Sequence, residues 1–472
     1  MEHRYLMSVF KQQLSRYFFN SASNRIIQKL LFTVCFLYTA LSSSYAQQTT
    51  PTVSSDTTPS FTLQQCIDYA VAHQPTLQQS LNNITIAKKT NAINLSGWYP
   101  QVIATGSITH YIQQQTAFVN QNGTITTQKT GVINTAIPGI GVSQAIYTPS
   151  LHYASKVAPL YVQEAQQATD STKIELVSTV SKSFYSLLLT LEQINVLKED
   201  TVRLGQNVRD SYHQYIGGIV DETDYEEATI SLNNSMAQLK QASENIVPQY
   251  AILKQLIGFP SEKQFNISFD TTQMAKEINI DTTQQLQYEK RVELKLLETQ
   301  KGLQQQLTNY YKYAYLPTVS ANFQYNHEFA NNDFGKLFNY SYPYSYIGIS
   351  VSMPIFTGFA RTEGLHRAQL EEKQLDWSSI SLRSQIYSEY TAALAAYKSN
   401  LYNLNMLTNN EALARRVYFV VTLQYKQGIV AYLNVITAES NLITSEIGRI
   451  NALFQVLSSK IDLEKAMGNI TY

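Results

Sequence analysis

Charge is scarce in this chain. Only 15% of the 472 residues are Asp, Glu, Lys or Arg, and 35 acidic residues balance 35 basic ones. A net charge of zero supplies no excess cations to neutralise phosphates, so nothing in the composition points to a nucleic-acid surface. Cysteine is nearly absent as well: Cys35 and Cys66 are the whole complement. Histidines are few and scattered (His3, His73, His110, His152, His213, His327 and His366), and none stands at zinc-ligand spacing from another His or Cys. His327-Glu328 lacks the second histidine of a zincin helix. Gly139-Ile140-Gly141 has no following phosphate-binding glycine, so it reads as strand packing, and there is no Walker motif. No catalytic residue, cofactor or metal is expected, and the chain supplies no energy of its own. Beyond the N-terminus no apolar run reaches the length of a transmembrane helix.

Tyrosine, by contrast, is abundant, with 33 residues. Its apolar ring and polar tip suit membrane interfaces and wet helix packing; a tyrosine-rich soluble protein would share the composition. The N-terminus carries a basic lead (Arg4, Lys11, Arg16, Arg25, Lys29) and then an apolar run from Leu30 to Leu41. Ser44 and Ala46 follow as the small residues of a cleavage site before Gln47. Residues 1–46 read as a secretory signal peptide, with an anchored helix as the alternative because the basic lead is long, followed by a linker over 47–60. Cys35 is not preceded by the small residues of a lipoprotein site. After cleavage Cys66 is the one remaining thiol, and no intrachain disulfide can form. A secreted chain with no later apolar helix is periplasmic, extracellular or an outer-membrane barrel.

The chain repeats itself at an offset of roughly two hundred residues. Gln74-Pro75-Thr76-Leu77 opens a helical stretch that ends at Tyr99-Pro100-Gln101-Val102; Arg291-Val292-Glu293-Leu294 opens another that ends at Leu316-Pro317-Thr318-Val319. Gly141–Thr148 then matches Ser350–Thr357, Tyr215–Val220 matches Tyr425–Val430, and Leu256-Ile257-Gly258 matches Ala466-Met467-Gly468. The offset shrinks by a few residues along the repeat, which gives the first copy the longer loop. Each copy has the order helix, strand, loop, strand, long helix, tight turn, helix. The repeats span 61–258 and 289–470, with a linking segment over 259–288.

The strands alternate. Val319, Ala321, Phe323 and Tyr325 oppose Ser320, Asn322, Gln324 and Asn326; Ile347, Ile349, Val351 and Met353 oppose Gly348, Ser350 and Ser352. This dyad fits a barrel wall with lipid outside and water inside, or a soluble sheet with one buried face. The segments 112–139 and 328–343 are polar and read as extracellular loops. The helices from Leu151 to Tyr215 and from Ala360 to Tyr425 are each long enough to reach on the order of 100 Å. Their apolar residues step by three and four, through Val177, Val180, Phe184, Leu187, Leu191, Ile194 and Leu197, and through Ile386, Tyr390, Leu394, Tyr397, Leu401 and Leu404. That is a coiled-coil seam, and such helices must pack side by side. Gly218 and Gly428 close the two long helices, and Thr223-Asp224-Tyr225-Glu226 has the pattern of a capping box.

Four strands cannot close a membrane barrel, because an open edge in lipid leaves backbone groups unsatisfied. Three chains would supply about twelve strands, within the known range. The strand entries Tyr-Pro-Gln and Leu-Pro-Thr, the exits Ile-Tyr-Thr and Ile-Phe-Thr, and the paired Gly-Ile-Val tips resemble those of the TolC family of outer-membrane efflux proteins, over residues 60–470. The resemblance implies a mainly α fold with a membrane β-barrel: a homotrimer whose 12-stranded barrel, four strands per chain, continues into a long α-helical periplasmic barrel. It implies no enzyme but a passive export duct in the outer membrane of a Gram-negative bacterium. Its partners would be outer-membrane lipid, a periplasmic adaptor (membrane fusion) protein and an inner-membrane pump of the RND or ABC kind. The tips Gly218-Ile219-Val220 and Gly428-Ile429-Val430 would meet the adaptor's helical hairpins, and 259–288 would lie in the equatorial belt. Asp224 and Tyr425 match residues of the family's periplasmic constriction. The arginine that pairs with them falls at Val430, and two ring aspartates fall at Asn434 and Thr437, so the charged latch is largely missing. Asp224 and Asn434 also fit plain helix-terminus polarity. A secreted coiled-coil structural or interaction protein with a small soluble sheet is the alternative from another class.

Overall fold

A computed structural model describes residues 59–121, 123–268 and 278–470. The expected signal peptide, its cleavage site and most of the 47–60 linker lie outside the described residues, as does the middle of the 259–288 segment. In chain order the elements are β1 (Ser60–Phe61), α1 (Leu63–His73), α2 (Pro75–Leu95), β2 (Gln101–His110), β3 (Thr116–Gln121), β4 (Thr124–Lys129), β5 (Asn134–Tyr147), α3 (Pro149–Ile216), α4 (Glu222–Ile257), β6 (Asn266–Ile267), α5 (Val292–Tyr313), β7 (Thr318–Asn331), β8 (Ser341–Ser352), α6 (Ala360–Lys426) and α7 (Tyr432–Met467).

The repeat is present in three dimensions: α2–β2–β5–α3–α4 is echoed by α5–β7–β8–α6–α7. The longer loop of the first copy holds an antiparallel hairpin, β3–β4. This corrects the reading of 112–139 as plain loop. Alternating Thr, Val, Phe and Ile let the segment pair with itself, and β5 begins as early as Asn134. The 328–343 loop is likewise shorter than expected, since β7 runs to Asn331 and β8 starts at Ser341.

Local chemistry sets the helix boundaries. Thr62 accepts from the Gln65 N–H while the Gln65 side chain accepts from the Thr62 N–H, a reciprocal cap that starts α1. Pro75 opens α2 where its missing N–H costs nothing. The capping box expected at Thr223 does not form. Helix α4 is capped two residues earlier, at Asp221, and no side chain closes the cap. Glu222 and Asp224 sit in its first turn, where negative charge opposes the positive end of the helix dipole. The far ends are specified by glycine. Gly258 (φ 73°) and Gly468 (φ 70°) close α4 and α7 in the left-handed region. A Cβ on Gly258 would lie 2.8 Å from the His73 carbonyl, and one on Gly468 3.0 Å from the Lys290 side chain. In each repeat, therefore, glycine lets the last helix abut the start of the first.

Helix α3, 68 residues long, packs against α2, α4, α5 and α7. Its seam is buried as the stepping predicts at Val177, Val180, Phe184, Leu187, Ile194 and Leu197, with Leu191 half-buried. The main core forms around this stretch with Leu77, Leu253, Ile257 and Leu457. A knot of rings, Phe61, Tyr69, Phe259 and Phe265, joins it beside the parallel β1–β6 pair. In α6 the seam residues Ile386, Tyr397 and Leu404 are buried, and the Tyr397 hydroxyl donates to the Ile278 carbonyl at 2.7 Å. The 278–280 stretch is thereby tied to the helices.

Candidate functional site

The four-stranded sheet has the order β2-β5-β7-β8 and is antiparallel throughout. Its register sorts side chains by polarity. Val102, Val142, Phe323 and Ile347 form one cross-strand row; Gln101, Ser143, Asn322 and Gly348 form the next, on the other face. On the apolar face Ile347 is 82% and Ile349 71% exposed, and Val102, Ile108 and Val351 are also bare. A soluble sheet would cover this face; here nothing among the described residues does. The polar face is knitted by side-chain hydrogen bonds: Asn322 Nδ2 donates to Ser350 Oγ at 2.9 Å, and the Tyr346 hydroxyl donates to Gln324 Oε1 at 2.7 Å. Gly139 is required here, since a Cβ would fall 1.9 Å from Asn326 Oδ1. The glycine pair of Gly139-Ile140-Gly141 thus serves strand packing. Both outer strands, β2 and β8, present an edge that no strand among the described residues pairs. Exposed rings gather at the strand–helix junctions, among them Tyr99, Tyr315, Phe356 and Phe359. That is the composition of a membrane–water interface.

At the opposite ends of the long helices the two tips are built alike. Gly218 (φ 67°) and Gly428 (φ 73°) take the left-handed conformation. The Gly218 N–H bonds Tyr215 O and the Ile219 N–H bonds Gln214 O; Gly428 and Ile429 bond Tyr425 O and Gln424 O in the same way. Both turns are therefore Schellman motifs, closed without help from side chains. Ile219 is 75% and Ile429 64% exposed, while Val220 and Val430 are half-buried. Both isoleucines are thus largely bare, although Ile219 Cδ1 lies over Gly217 of its own turn, and the valines are the more covered of each pair.

Of the four residues expected at a constriction, the structure brings Asp224 and Tyr425 together. The Tyr425 hydroxyl donates to Gln214 Oε1 at 2.7 Å, and its ring lies 5.2 Å from that of Tyr432. Burial, with the negative charges of Asp224 and Asp210, pushes the Tyr425 phenol up to about 12. Burial and then the neighbouring Glu227 and Asp221 raise the Asp224 carboxyl above the usual range. Asn434 and Thr437 are exposed on α7. Asn434 is not the cap of that helix, since Ala431 holds the cap position. The Thr437 hydroxyl returns to the Leu433 carbonyl at 2.8 Å.

A charged cluster that sequence reasoning missed ties the two hairpins together a few turns from the tips. Asp200 on α3 is fully buried; it accepts from Ser235 of α4 at 2.6 Å and faces Arg203 at 3.2 Å. Arg203 lies between α3 and α7, 3.8 Å from Glu439 and 3.7 Å from Glu446. Asn207 donates to Glu439 Oε2 at 3.2 Å, whereas Glu439 Oε1 has no hydrogen-bond partner although the residue is only 2% exposed. Arg415 of α6 bonds Glu446 at 2.7 Å and Glu411 at 3.0 Å, and Arg449 closes on Glu411. Burial, then the charge on Asp200, pushes the Glu439 carboxyl up to about 7. The signal was in the sequence: Val435, Glu439, Leu442, Glu446 and Ile450 step by three and four, so two glutamates occupy seam positions.

Residues 66–259, the first repeat almost to its ends, match the family described as outer membrane efflux protein. No curated relative matches the chain in sequence. Solved structures match nearly all of it in fold. The outer membrane protein VceC of Vibrio cholerae is similar with a TM-score of 0.67 at 15% identity, over 86% of this chain and 96% of that one. The CmeC outer membrane channel of Campylobacter jejuni gives 0.68 at 17% identity, over 90% and 93%. The open-state MtrE outer membrane channel of Neisseria gonorrhoeae gives 0.67 at 17% identity, over 90% and 95%. The first repeat thus matches that family, and the chain as a whole shares the fold of solved outer membrane channels.

Proposed function

We propose that three copies close into a 12-stranded barrel continued by a helical periplasmic tunnel, and that this homotrimer is the passive outer-membrane exit of a tripartite efflux or type I secretion machine. The observation that carries the reading is the sheet: one bare apolar face, one polar face and two unpaired edges. In hydrocarbon each unpaired backbone group costs several kcal/mol, so β2 must find a partner edge, and β8 of the next copy is the one the repeat supplies. The polar faces would then line a water-filled lumen. Light scattering of the detergent-extracted protein should report three chains, and heat should shift its mobility on gels. A monomer, or a protein soluble without detergent, would refute the assembly.

At the far end, Gly218, Ile219, Val220, Gly428, Ile429 and Val430 are assigned to docking a periplasmic adaptor, which in turn couples to an inner-membrane RND or ABC pump. Two exposed isoleucines in identical turns support this, because a hairpin tip in the periplasm has no lipid to touch. Asp224, Tyr425, Asn434 and Thr437 are assigned to the periplasmic constriction. With Val430, Asn434 and Thr437 in place of ionised groups, that constriction is weakly charged. The repeats (61–258 and 289–470) would form the two halves of each protomer, with 259–288 as the belt around the tunnel.

A further inference from the structure

Three tyrosines stand on the face of the sheet where a membrane girdle has no use for them. Tyr342, Tyr344 and Tyr346 alternate along β8 and pair in register with Glu328, Asn326 and Gln324 of β7. Directly paired residues share a face, so all three rings lie on the polar side, opposite Ile347 and Ile349. The hydrogen bond from Tyr346 to Gln324 holds one ring there. All three rings are exposed, and none stacks on another ring. At ~3.3 Å rise per residue they are spaced about 7 Å apart, a ladder along the strand. The charge around them is one-sided. Across β2, β5, β7 and β8 the sole charged side chain among Asp, Glu, Lys and Arg is Glu328, the direct partner of Tyr342.

We propose that this ladder is a cargo-binding track for flat organic cations. It rests on the reading of the polar face as the channel lumen. A tyrosine ring offers a planar apolar surface with a negative face, which attracts a cation lying over it. Glu328 adds the matching charge at one end, and no Lys or Arg on β2, β5, β7 or β8 opposes it. A flat anion meets the same rings but is repelled by the carboxylate. The threefold assembly would repeat the track three times around the lumen, so cargo passes between weak sites rather than halting at a tight one.

The test uses the full-length protein in planar bilayers, with single-channel current in KCl as the readout. Ethidium, a planar cation, should block the wild-type channel, and pyranine, a planar anion, should block far less. Replacing all three residues (Tyr342→Ser, Tyr344→Ser, Tyr346→Ser) should raise the half-blocking ethidium concentration by about tenfold. The corresponding triple Phe variant should keep the block, because the ring face is what binds. Glu328→Gln should raise the half-blocking concentration severalfold. Unchanged KCl conductance certifies that each variant has a folded pore, and Tyr344→Ser alone serves if the triple serine chain does not insert. Equal block by ethidium and pyranine, or a serine variant that conducts normally and is blocked like wild type, would overturn the track and leave the duct standing. A wild-type protein with no conductance at all would overturn both.

Discussion

Glu439 gives the sharpest test of the buried cluster that joins the hairpins. In water a glutamate titrates near 4.5, but in the folded chain burial and the charge on Asp200 move Glu439 up to about 7. The favourable contribution of the protonated form is fully present below 4.5 and is lost as pH rises through 7. At ~1.4 kcal/mol per tenfold, the gap corresponds to about 3 kcal/mol of hairpin cohesion lost between acid and mildly alkaline conditions. The groups that face it define the local charge: Asp200, Arg203 and Asn207 on α3, Tyr418 and Arg415 on α6, Glu446 on α7, with Glu411, Arg449 and Glu199 further out. Burial, more than the excess of carboxylates over guanidiniums, is what favours the protonated form of Glu439 there. Glu439→Gln supplies a neutral side chain of the same shape. It should flatten the pH dependence and, at pH 8, tighten the hairpins by roughly 1–3 kcal/mol, less than the full gap because Arg203 loses an attraction. The assay is deuterium exchange of the detergent-extracted assembly at pH 5.5 and pH 8, corrected for intrinsic rates, on peptides spanning 197–207 and 435–450. Wild-type peptides that are equally protected at both values, or better protected at pH 8, would refute the reasoning.

Four further outcomes follow from named residues. Gly428→Trp should abolish export while trimer yield and membrane insertion survive: a Cβ there meets nothing within 4 Å, and the positive φ adds only about 1–2 kcal/mol of local strain. Drug sensitivity of cells read beside trimer yield separates docking from folding. Asn434→Asp should strengthen block of single-channel current by multivalent cations, and an unchanged block would place Asn434 away from the lumen. Cys66, fully buried and with its thiol pushed up to about 12, should resist thiol reagents in the native protein and react only on unfolding, as mass spectrometry of alkylated samples would report. N-terminal sequencing of membrane-extracted protein should begin near Gln47, and a start at Met1 would overturn the signal-peptide reading.

Much of this architecture is written locally. The three-and-four stepping through Val177 to Leu197 and the turn glycines fixed both long helices to within two residues at each end, because helix period and left-handed closure depend on near neighbours. The alternation from Val319 to Tyr325 separated two faces of unlike polarity before any partner strand was known. The duplication gave each landmark twice. The extra β3–β4 hairpin was missed because polar Thr- and Gln-rich strands look like loop when neither face is buried. The start of α4 was misread by composition: Thr223 and Glu226 have the spacing of a capping box, yet the turn geometry places the cap at Asp221.

What the sequence by itself determined, then, is the repeat, the long helices and the strands of the main sheet, the two faces of those strands and the apolar tips. Tertiary structure alone decided that β5 pairs with β7 to merge the repeats into one sheet, that the apolar face stays uncovered, and that Asp200, Arg203, Glu439 and Glu446 converge from α3 and α7. The physical reason is range. Periodicity and turn chemistry act over a few residues and leave their mark in composition, whereas the β5–β7 pairing and the buried contacts of Arg203 with Glu439 and Glu446 join groups roughly 170 to 240 positions apart in the chain, whose mutual distance no local pattern encodes.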